Sequence, residues 1–376
     1  MRALGKSNQP ETAPLIPRFP GTRLVTAFPL MSGHGRTASL LYQLGFFDQL
    51  LFFKVRPRDS EAGYSYVVRP RLPIGHLSAF LSLYSPSWWS RAISGVKWVH
   101  FNSPHFFDLS RFNSRSSGTV HDLLWMDRTA QRFRDNPIGS HFYFTREIRY
   151  AERLRGVVVI SQTVKTALQA HFPKVEPSVI HNWVGEEFQP RARLAARARL
   201  GIPSDRKVLL HVSIDNVRKN LEILPKIVDR LGPDYLLVRI GDSRRIARLF
   251  SPSQFLPRER VPDSDYPWYF NAADALVFPS YSEGFGVPLA EAVCSGLPVI
   301  ASDIPIFREL LPTDYPYFAN PLIPLSWKEP IQSAVEASPS EGENHKLYGN
   351  LSLHYRAARA AVEYREFFHR VAEDLT

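Results

Sequence analysis

Cysteine is nearly absent from this sequence, because the 376 residues include only Cys294. A single thiol excludes an intrachain disulfide, which is consistent with a reducing compartment, and a lone cysteine on a helix predicts a small buried side chain. Long apolar segments are also missing: no window approaches the roughly 18 apolar residues that cross a bilayer. The first twenty residues contain four prolines and no apolar core of a signal peptide. We therefore predict a cytoplasmic protein without a transmembrane helix.

Acidic residues are scarce in the first half of the chain. Residues 1–188 contain 23 Lys and Arg against 13 Asp and Glu, whereas residues 189–376 contain 23 of each, so the first half carries the whole net charge of +10. Such a surface attracts nucleic acid, anionic membrane or acidic substrates, and it also keeps a protein soluble. The chain length and the 44% hydrophobic content predict two ordinary globular domains.

A strand, glycine loop and helix are predicted around residue 285. The apolar run Ala275–Phe278 fits a buried parallel strand, and Glu283 then precedes the turn Gly284-Phe285-Gly286. Pro288 suits the first position of a helix, which puts Glu291 in the first turn. The N–H groups at such a helix start favour a phosphate, while the two carboxylates would accept hydrogen bonds from sugar hydroxyls. Either glutamate could instead only complement the helix dipole.

These residues resemble a known signature. Glu283 and Glu291, separated by seven residues around the glycine turn, resemble the E-x7-E motif of retaining glycosyltransferases of the family 4 type, also called glycosyl transferases group 1. Pro279-Ser280 before the motif and Gly296–Ala301 after it fit the same pattern. The resemblance implies the α/β GT-B fold, in which two doubly wound Rossmann-like domains face each other across a cleft and a C-terminal helix crosses back to the first domain.

The resemblance also divides the chain. We expect a lead-in over residues 1–21, an acceptor-binding domain over 22–188, a nucleotide-sugar donor-binding domain over 189–350 and the C-terminal crossover helix over 351–376. The arginine-rich run Gln189–Arg199 marks the passage between the domains.

Two motifs of the first domain resemble family elements. Gly33 and Gly35 resemble the first glycine-rich loop, which faces the donor diphosphate and the acceptor, and apolar spacing predicts a helix over Ala38–Phe53 after them. His121 resembles the histidine of the His-Asp-Leu segment, which orients the donor sugar or the acceptor. Taken alone, a histidine at a strand end is more often structural.

Two adjacent cations follow the predicted strand Lys207–Val212. Arg218 and Lys219 lie where a doubly wound sheet places ligand groups, and cations beside a helix N-terminus favour a bound anion. The segment resembles the family's Arg-Lys-Asn element, in which the lysine neutralises the leaving diphosphate. Many relatives carry a further arginine near the strand end; Ser213 stands there in this chain, so Arg218 would supply the second charge.

By analogy with the family, Glu291 accepts hydrogen bonds from the ribose and Glu283 holds hydroxyls of the donor sugar. Phe285, Gly286 and Val287 would pack against that sugar. The chain has an Asp-x-Asp sequence at Asp263–Asp265, a motif that holds a metal ion in glycosyltransferases of the other major fold. Here it directly precedes a helix, so we predict that it caps that helix. We predict no metal, and no cofactor besides the substrate nucleotide sugar.

The resemblance implies transfer of a hexose-type sugar, mannose or glucose, from a GDP- or UDP-linked donor to an acceptor hydroxyl with retained configuration. The basic first domain, and the aromatic and cationic stretch between Gly63 and Gly95, favour a lipid-linked or cell-surface glycan precursor at the inner face of a membrane. The same stretch also fits a core helix. A soluble sugar acceptor, a non-catalytic GT-B binding protein and a glycoside hydrolase stay open, although a hydrolase does not need Arg218 and Lys219. No aromatic-interleaved motif supports a nucleic-acid partner.

Overall fold

The structure is a computed structural model that describes residues 21–26, 37–38, 41–42, 45–54, 65–68, 93, 95–123, 148–337, 348 and 350–372. The chain divides into two compact units. Among the described residues, the first unit runs to Gly118 and also takes Arg153–Arg155 and the chain end from His369. The second unit takes the rest, from Thr119 to Phe368. The glycines Gly33 and Gly35 and residues 69–92 lie outside the described residues.

Seven strands form the first sheet, in the order β3-β2-β1-β4-β5-β6-β7. They are β1 Thr22–Thr26, β2 Gln49–Lys54, β3 Ser65–Val68, β4 Trp98–Phe101, β5 Ser116–Val120, β6 Gly156–Val159 and β7 Ser178–Val179. Strand β1 pairs in parallel with β2 and with β4. The helix predicted over Ala38–Phe53 is therefore wrong at its end, because Gln49–Lys54 is a strand. Thr37, Ala38, Leu41 and Tyr42 are helical.

Six parallel strands form the second sheet, in the order β10-β9-β8-β11-β12-β13. They are β8 Lys207–Val212, β9 Tyr235–Ile240, β10 Phe255–Arg258, β11 Ala275–Phe278, β12 Val299–Ser302 and β13 Phe318–Ala319. The strands β8 and β11 have the bounds predicted from their apolar runs. Such runs form because helices cover both faces of a parallel sheet, so that no position needs to be polar.

Nine α-helices are described from Gln162 onward, and only the last three residues of α9 belong to the first unit. They are α1 Gln162–His171, α2 Arg193–Leu200, α3 Ile223–Leu231, α4 Tyr266–Ala272, α5 Val287–Cys294, α6 Pro305–Leu310, α7 Lys328–Glu336, α8 Leu351–His354 and α9 Ala357–Val371. Leu209, Leu237 and Val277 of the second sheet form a core with Ile227 of α3 and Ile331 of α7. Cys294 is buried and free, as predicted. None of these helices has the length and apolar character needed to cross a bilayer.

Candidate active site

The turn that carries the two predicted cations is fixed by an asparagine on each side. After β8, the residues Val217–Lys219 form one turn of 3₁₀ helix, and the Asn216 side chain caps it by accepting from the Arg218 N–H at 3.0 Å. Asn220 ends the turn in the left-handed region, with a φ of 54°, and its Nδ2 donates to the carbonyls of Pro279 at 3.1 Å and Pro321 at 2.7 Å. Arg218 and Lys219 therefore have a turn of their own, ahead of α3.

Both cations bind one buried carboxylate. Arg218 Nη1 lies 2.6 Å from Glu283 Oε2, and Lys219 Nζ contacts Glu283 Oε1. The hydroxyl of Ser280 also donates to Oε1, at 2.7 Å, and Glu283 is only 7% exposed. The Tyr281 N–H donates to the Arg218 carbonyl at 2.8 Å, which holds the loop after β11 against the 3₁₀ turn. The structure thus brings together Arg218, Lys219 and Glu283 at the carboxyl ends of two neighbouring strands.

The charges of this cluster are unequal. Burial alone would raise the pKa of Glu283, but Arg218, Lys219 and the hydrogen bonds from Lys219 and Ser280 lower that pKa to about 2. Burial lowers the pKa of Lys219, and Glu283 opposes the effect. The pKa of Arg218 is raised because Glu283, with a contribution from Asp122, outweighs the burial. Two cations facing one ionised glutamate leave a positive charge that an anionic ligand would complement.

The glycine loop lies directly against the segment that follows β5. A Cβ placed on Gly284 would lie 2.2 Å from the carbonyl oxygen of His121 and 2.9 Å from the Cβ of Asp122. The Ser161 hydroxyl donates to the Gly284 carbonyl at 2.9 Å and accepts from the Val164 N–H at 3.1 Å, so Ser161 is the N-cap of α1. Gly284 is needed for space, and the buried His121 lies beside the loop that carries Glu283.

Gly284→Ala is expected to lower at least tenfold the nucleotide-sugar turnover that the sequence resemblance predicts. The added methyl group meets backbone at 2.2 Å, so either the glycine loop or the segment at His121 must move. A suitable control is Gly201→Ala: its φ of 62° imposes backbone strain of about 1 kcal/mol, but its Cβ meets nothing within 4 Å. Turnover and melting temperature of both variants separate the two effects, and full activity of Gly284→Ala would contradict the close packing.

The remaining loop residues lead into α5. Gly286 is the N-cap residue, with a φ of 103°, and a Cβ there would lie 3.0 Å from the Phe307 ring. Phe285 is buried, and its ring lies 5.8 Å from that of His181. Because the helix begins at Val287, Pro288 is its second residue and Glu291 its fifth. The prediction that Glu291 lies in the first turn is therefore wrong by one residue.

Glu291 accepts a hydrogen bond that the sequence did not reveal. Its side chain is 1% exposed, and its Oε2 accepts from the hydroxyl of Tyr266 at 2.7 Å. Tyr266 begins α4, directly after the Asp-x-Asp sequence. Asp265 occupies the N-cap position of α4 but makes no capping hydrogen bond; it accepts from Arg199 Nε at 3.0 Å and Nη2 at 2.6 Å. The prediction that Asp265 caps the helix is therefore wrong, because its carboxylate accepts hydrogen bonds from the Arg199 side chain instead.

Two further residues missed by sequence reasoning hold Ser213. His211 Nδ1 contacts the Val277 carbonyl at 2.9 Å, which makes Nδ1 the protonated nitrogen, and Nε2 therefore accepts from the Ser213 hydroxyl at 2.9 Å. Burial lowers the pKa of His211 to about 3, so the ring is neutral. The fully buried Arg239 donates to the carbonyls of Ser213 at 3.2 Å and Asp242 at 2.8 Å. The sequence signal for this role of Arg239 is that a cation stands within the otherwise apolar strand β9.

Within the described parts of the chain, no group of three or more His, Cys, Asp or Glu side chains could hold a metal ion. Of the predicted site residues, Ser213, Arg218, Lys219 and Glu283 lie around the carboxyl ends of β8 and β11, and Phe285, Gly286, Val287 and Glu291 continue from that loop into α5. His121 lies against the same loop at Gly284.

Comparison with known proteins finds a family model that covers this site. Residues 193–315 match the family model described as Glycosyl transferases group 1, which confirms the resemblance read from the sequence. The matching segment contains Arg218, Lys219, Glu283 and Glu291 of the candidate site.

Curated relatives match the chain over short segments. The O-antigen chain mannosyltransferase RfbU of Salmonella typhimurium is 47% identical over 70 residues, which is 19% of each chain. The sulfoquinovosyl transferase SQD2 of Arabidopsis thaliana is 30% identical over 34% of this chain and 26% of its own length. A D-inositol 3-phosphate glycosyltransferase of Mycobacterium tuberculosis is 33% identical over 34% of this chain and 29% of its own. The chain thus spans less than a third of the length of these relatives.

Solved structures match nearly the whole chain. Sucrose-phosphate synthase from Thermosynechococcus elongatus superposes with a TM-score of 0.74 at 18% identity, over 93% of this chain and 98% of that one. Anabaena HepE in complex with UDP and glucose also gives 0.74, at 16% identity, over 93% and 99%. WaaG, a glycosyltransferase involved in lipopolysaccharide biosynthesis, gives 0.65 at 15% identity, over 94% and 98%. These likenesses confirm the GT-B fold, with two parallel-sheet Rossmann-like domains.

Proposed function

We propose that the protein is a retaining glycosyltransferase that moves a hexose, mannose or glucose, from a nucleotide diphosphate sugar to an acceptor hydroxyl. The observation that carries this proposal is the convergence of Arg218 and Lys219 on one buried carboxylate, within the segment that matches the family model. The activities for which the relatives are named, a mannosyltransferase among them, and the HepE complex with UDP-glucose support a nucleotide-sugar donor.

The barrier to glycosyl transfer is mainly one of charge separation, because the departing diphosphate gains negative charge while the sugar becomes positive. Fixed cations in a buried site stabilise that leaving group without reorganising. Arg218 and Lys219 would bind the diphosphate of the donor. Glu283 would then no longer be paired with these two cations and would accept hydrogen bonds from hydroxyls of the transferred sugar. Glu291 would hold the ribose and His121 would orient the sugar or the acceptor. Because two side chains already supply the positive charge, we propose that no divalent metal is required.

The proposed acceptor is a lipid-linked or cell-surface glycan precursor, reached by a protein that binds the inner face of a membrane peripherally. The surplus of basic residues in positions 1–188 supports this choice, since such residues attract anionic lipid. Flotation with phosphatidylglycerol-containing vesicles, and with pure phosphatidylcholine vesicles, tests it at low and high salt. If the protein ignores anionic vesicles at low salt, a soluble sugar acceptor becomes the better proposal.

The donor is tested by offering the purified protein UDP-, GDP- and ADP-linked glucose and mannose and measuring which nucleotide is released. The same assay with and without EDTA tests the metal requirement. The anomeric configuration of the product, read by NMR, tests retention. Failure to bind or turn over any of these donors would contradict the proposed activity and favour a non-catalytic binding protein.

A further inference from the structure

Three titratable side chains form a connected chain beside the glycine loop, within the second unit. His181 follows β7, His354 ends α8 and Glu309 lies on α6. His181 Nε2 lies 2.9 Å from Glu309 Oε1, and His181 Nδ1 lies 2.7 Å from His354 Nε2. The two imidazole rings meet edge-on, with centroids 5.0 Å apart. Each ring nitrogen of His181 therefore has a partner on a different helix.

The carboxylate decides where the protons of the histidine pair lie. Glu309 also accepts from the N–H groups of Gln162 at 2.6 Å and Thr163 at 2.8 Å, and from the Thr163 hydroxyl at 2.7 Å. Burial alone would raise the pKa of Glu309, but the hydrogen bonds from His181, Thr163 and Gln162 lower that pKa. Because an ionised carboxylate only accepts hydrogen bonds, His181 Nε2 carries a proton.

The contact between the two rings tolerates one positive charge. When His181 is neutral, its Nδ1 accepts from the Nε2–H of His354, and when His181 is charged, its Nδ1–H donates to the unprotonated Nε2 of His354. With both rings charged, two N–H groups face each other over 2.7 Å. The pair therefore takes up one proton without losing the contact, whereas a second proton breaks it.

Charged and titratable groups on neighbouring elements also face the pair. Arg359 on α9 donates to the carbonyls of His354 at 2.8 Å and His181 at 2.9 Å, and it pairs with Glu363 at 2.5 Å. Burial raises the pKa of Cys294 on α5 to about 11 and raises the pKa of the residue after His354 as well, so both groups are neutral in acid. Burial, Arg359 and His181 lower the pKa of His354 to about 4.

The pair supports the glycine loop through one aromatic ring. The Phe285 ring lies 5.8 Å from the ring of His181 and 5.9 Å from that of Tyr355, the residue after His354. The Val184 N–H donates to the Tyr355 carbonyl at 2.8 Å, so the segments that carry the two histidines also meet at the backbone. The position of Phe285 therefore depends on both segments staying together.

We propose that His181 and His354 are positioning residues that hold Phe285, and with it the loop of Glu283, and that acid releases this support when the pair takes up a second proton. The pKa of an exposed histidine is about 6.5, whereas that of the docked His354 is about 4, so the open form gains population as the pH falls between these values. The stability that the contact contributes is thus present above about pH 6.5 and is lost towards about pH 4. The effect on turnover rests on the proposed function, whereas the opening itself does not.

The test is amide hydrogen exchange of wild type and His354→Gln at about pH 7.5 and about pH 5, followed by mass spectrometry. Glutamine can donate to His181 but takes up no proton, and comparing two proteins at one pH cancels the intrinsic pH dependence of exchange. The ratio of the wild-type rate to the His354→Gln rate should rise at least fivefold on acidification, at residues 353–360 and at residues 286–290. His171→Gln is the matched control, because its ring is exposed and contacts only the Ala167 carbonyl of its own helix; its ratio should not change.

Each other result has a definite meaning. A ratio for His354→Gln that matches the control, or an NMR titration of wild type in which His354 titrates near the ordinary pKa of histidine, would overturn the proposal. A response confined to residues 353–360 would overturn the positioning of the loop. On acidification, wild type should also lose turnover at least twofold more than His354→Gln. If exchange responds as expected but wild type turns over no donor at either pH, the proposed function fails while the acid-sensitive support stands.

Discussion

Replacing Lys219 by methionine should lower turnover at least tenfold, a loss of about 1.4 kcal/mol or more of transition-state stabilisation, and should weaken binding of the nucleoside diphosphate. Methionine keeps an unbranched apolar stem but removes the charge that faces the proposed leaving group. The measurement is nucleotide release at saturating donor together with binding of the free diphosphate. Lys226→Met, an exposed lysine on α3, is the matched control and should be silent.

Glu283→Gln should change turnover and nucleoside-diphosphate binding in opposite directions, whereas Lys219→Met lowers both. With its pKa held at about 2, Glu283 is a full negative charge at neutral pH and competes with phosphate for Arg218 and Lys219. The isosteric glutamine removes that competitor, so the nucleoside diphosphate should bind several-fold more tightly while turnover falls at least tenfold. Weaker diphosphate binding in Glu283→Gln would show that the carboxylate does not compete for the cations.

The sheet strands were predictable where burial on both faces forces a continuous apolar run. Lys207–Val212 and Ala275–Phe278 have the predicted bounds for that reason. The run that ends at Phe53 was mistaken for helix, because periodicity alone cannot separate a short apolar strand from a buried helical segment. Similarly, the prediction that Pro288 is the first residue of α5 is one residue late, since the helix begins at Val287 and Gly286 occupies the N-cap position.

The site was predictable as far as topology decides it. The carboxyl ends of parallel strands meet at one edge of a sheet, so Arg218, Lys219 and Glu283 could be expected together. The partners of Glu291 and Ser213 could not, because the Tyr266 hydroxyl and the Arg239 guanidinium reach them through side-chain conformations that the sequence pattern does not encode. Asp265 shows the same limit: its position before a helix indicates a cap, yet Arg199 decides its hydrogen bonds.

Asp274→Ala should destabilise the second unit by about 3–5 kcal/mol, because it leaves a buried cation without its counter-ion. Arg197, only 4% exposed, donates from Nη2 to Asp274 Oδ2 at 2.7 Å, and Arg193 Nη1 donates to Oδ1 at 2.7 Å. The Val208 N–H on β8 also donates to Oδ2, at 2.6 Å. The segment Gln189–Arg199, expected to be a polar passage, therefore contains most of a helix, α2, which Asp274 attaches to the second sheet.

The measurement is the shift of the urea midpoint relative to wild type, with Asp229→Ala on the exposed side of α3 as the control that should change little. A double-mutant cycle with Arg197→Met isolates the ion pair from the other bonds of the arginine, which donates to the Ala272 carbonyl at 2.9 Å as well. Because most of the loss in Asp274→Ala comes from the stranded charge, the cycle should return a coupling of about 1–3 kcal/mol. Additive effects of the two substitutions would mean that Asp274 acts through the Val208 N–H or through Arg193 rather than through Arg197.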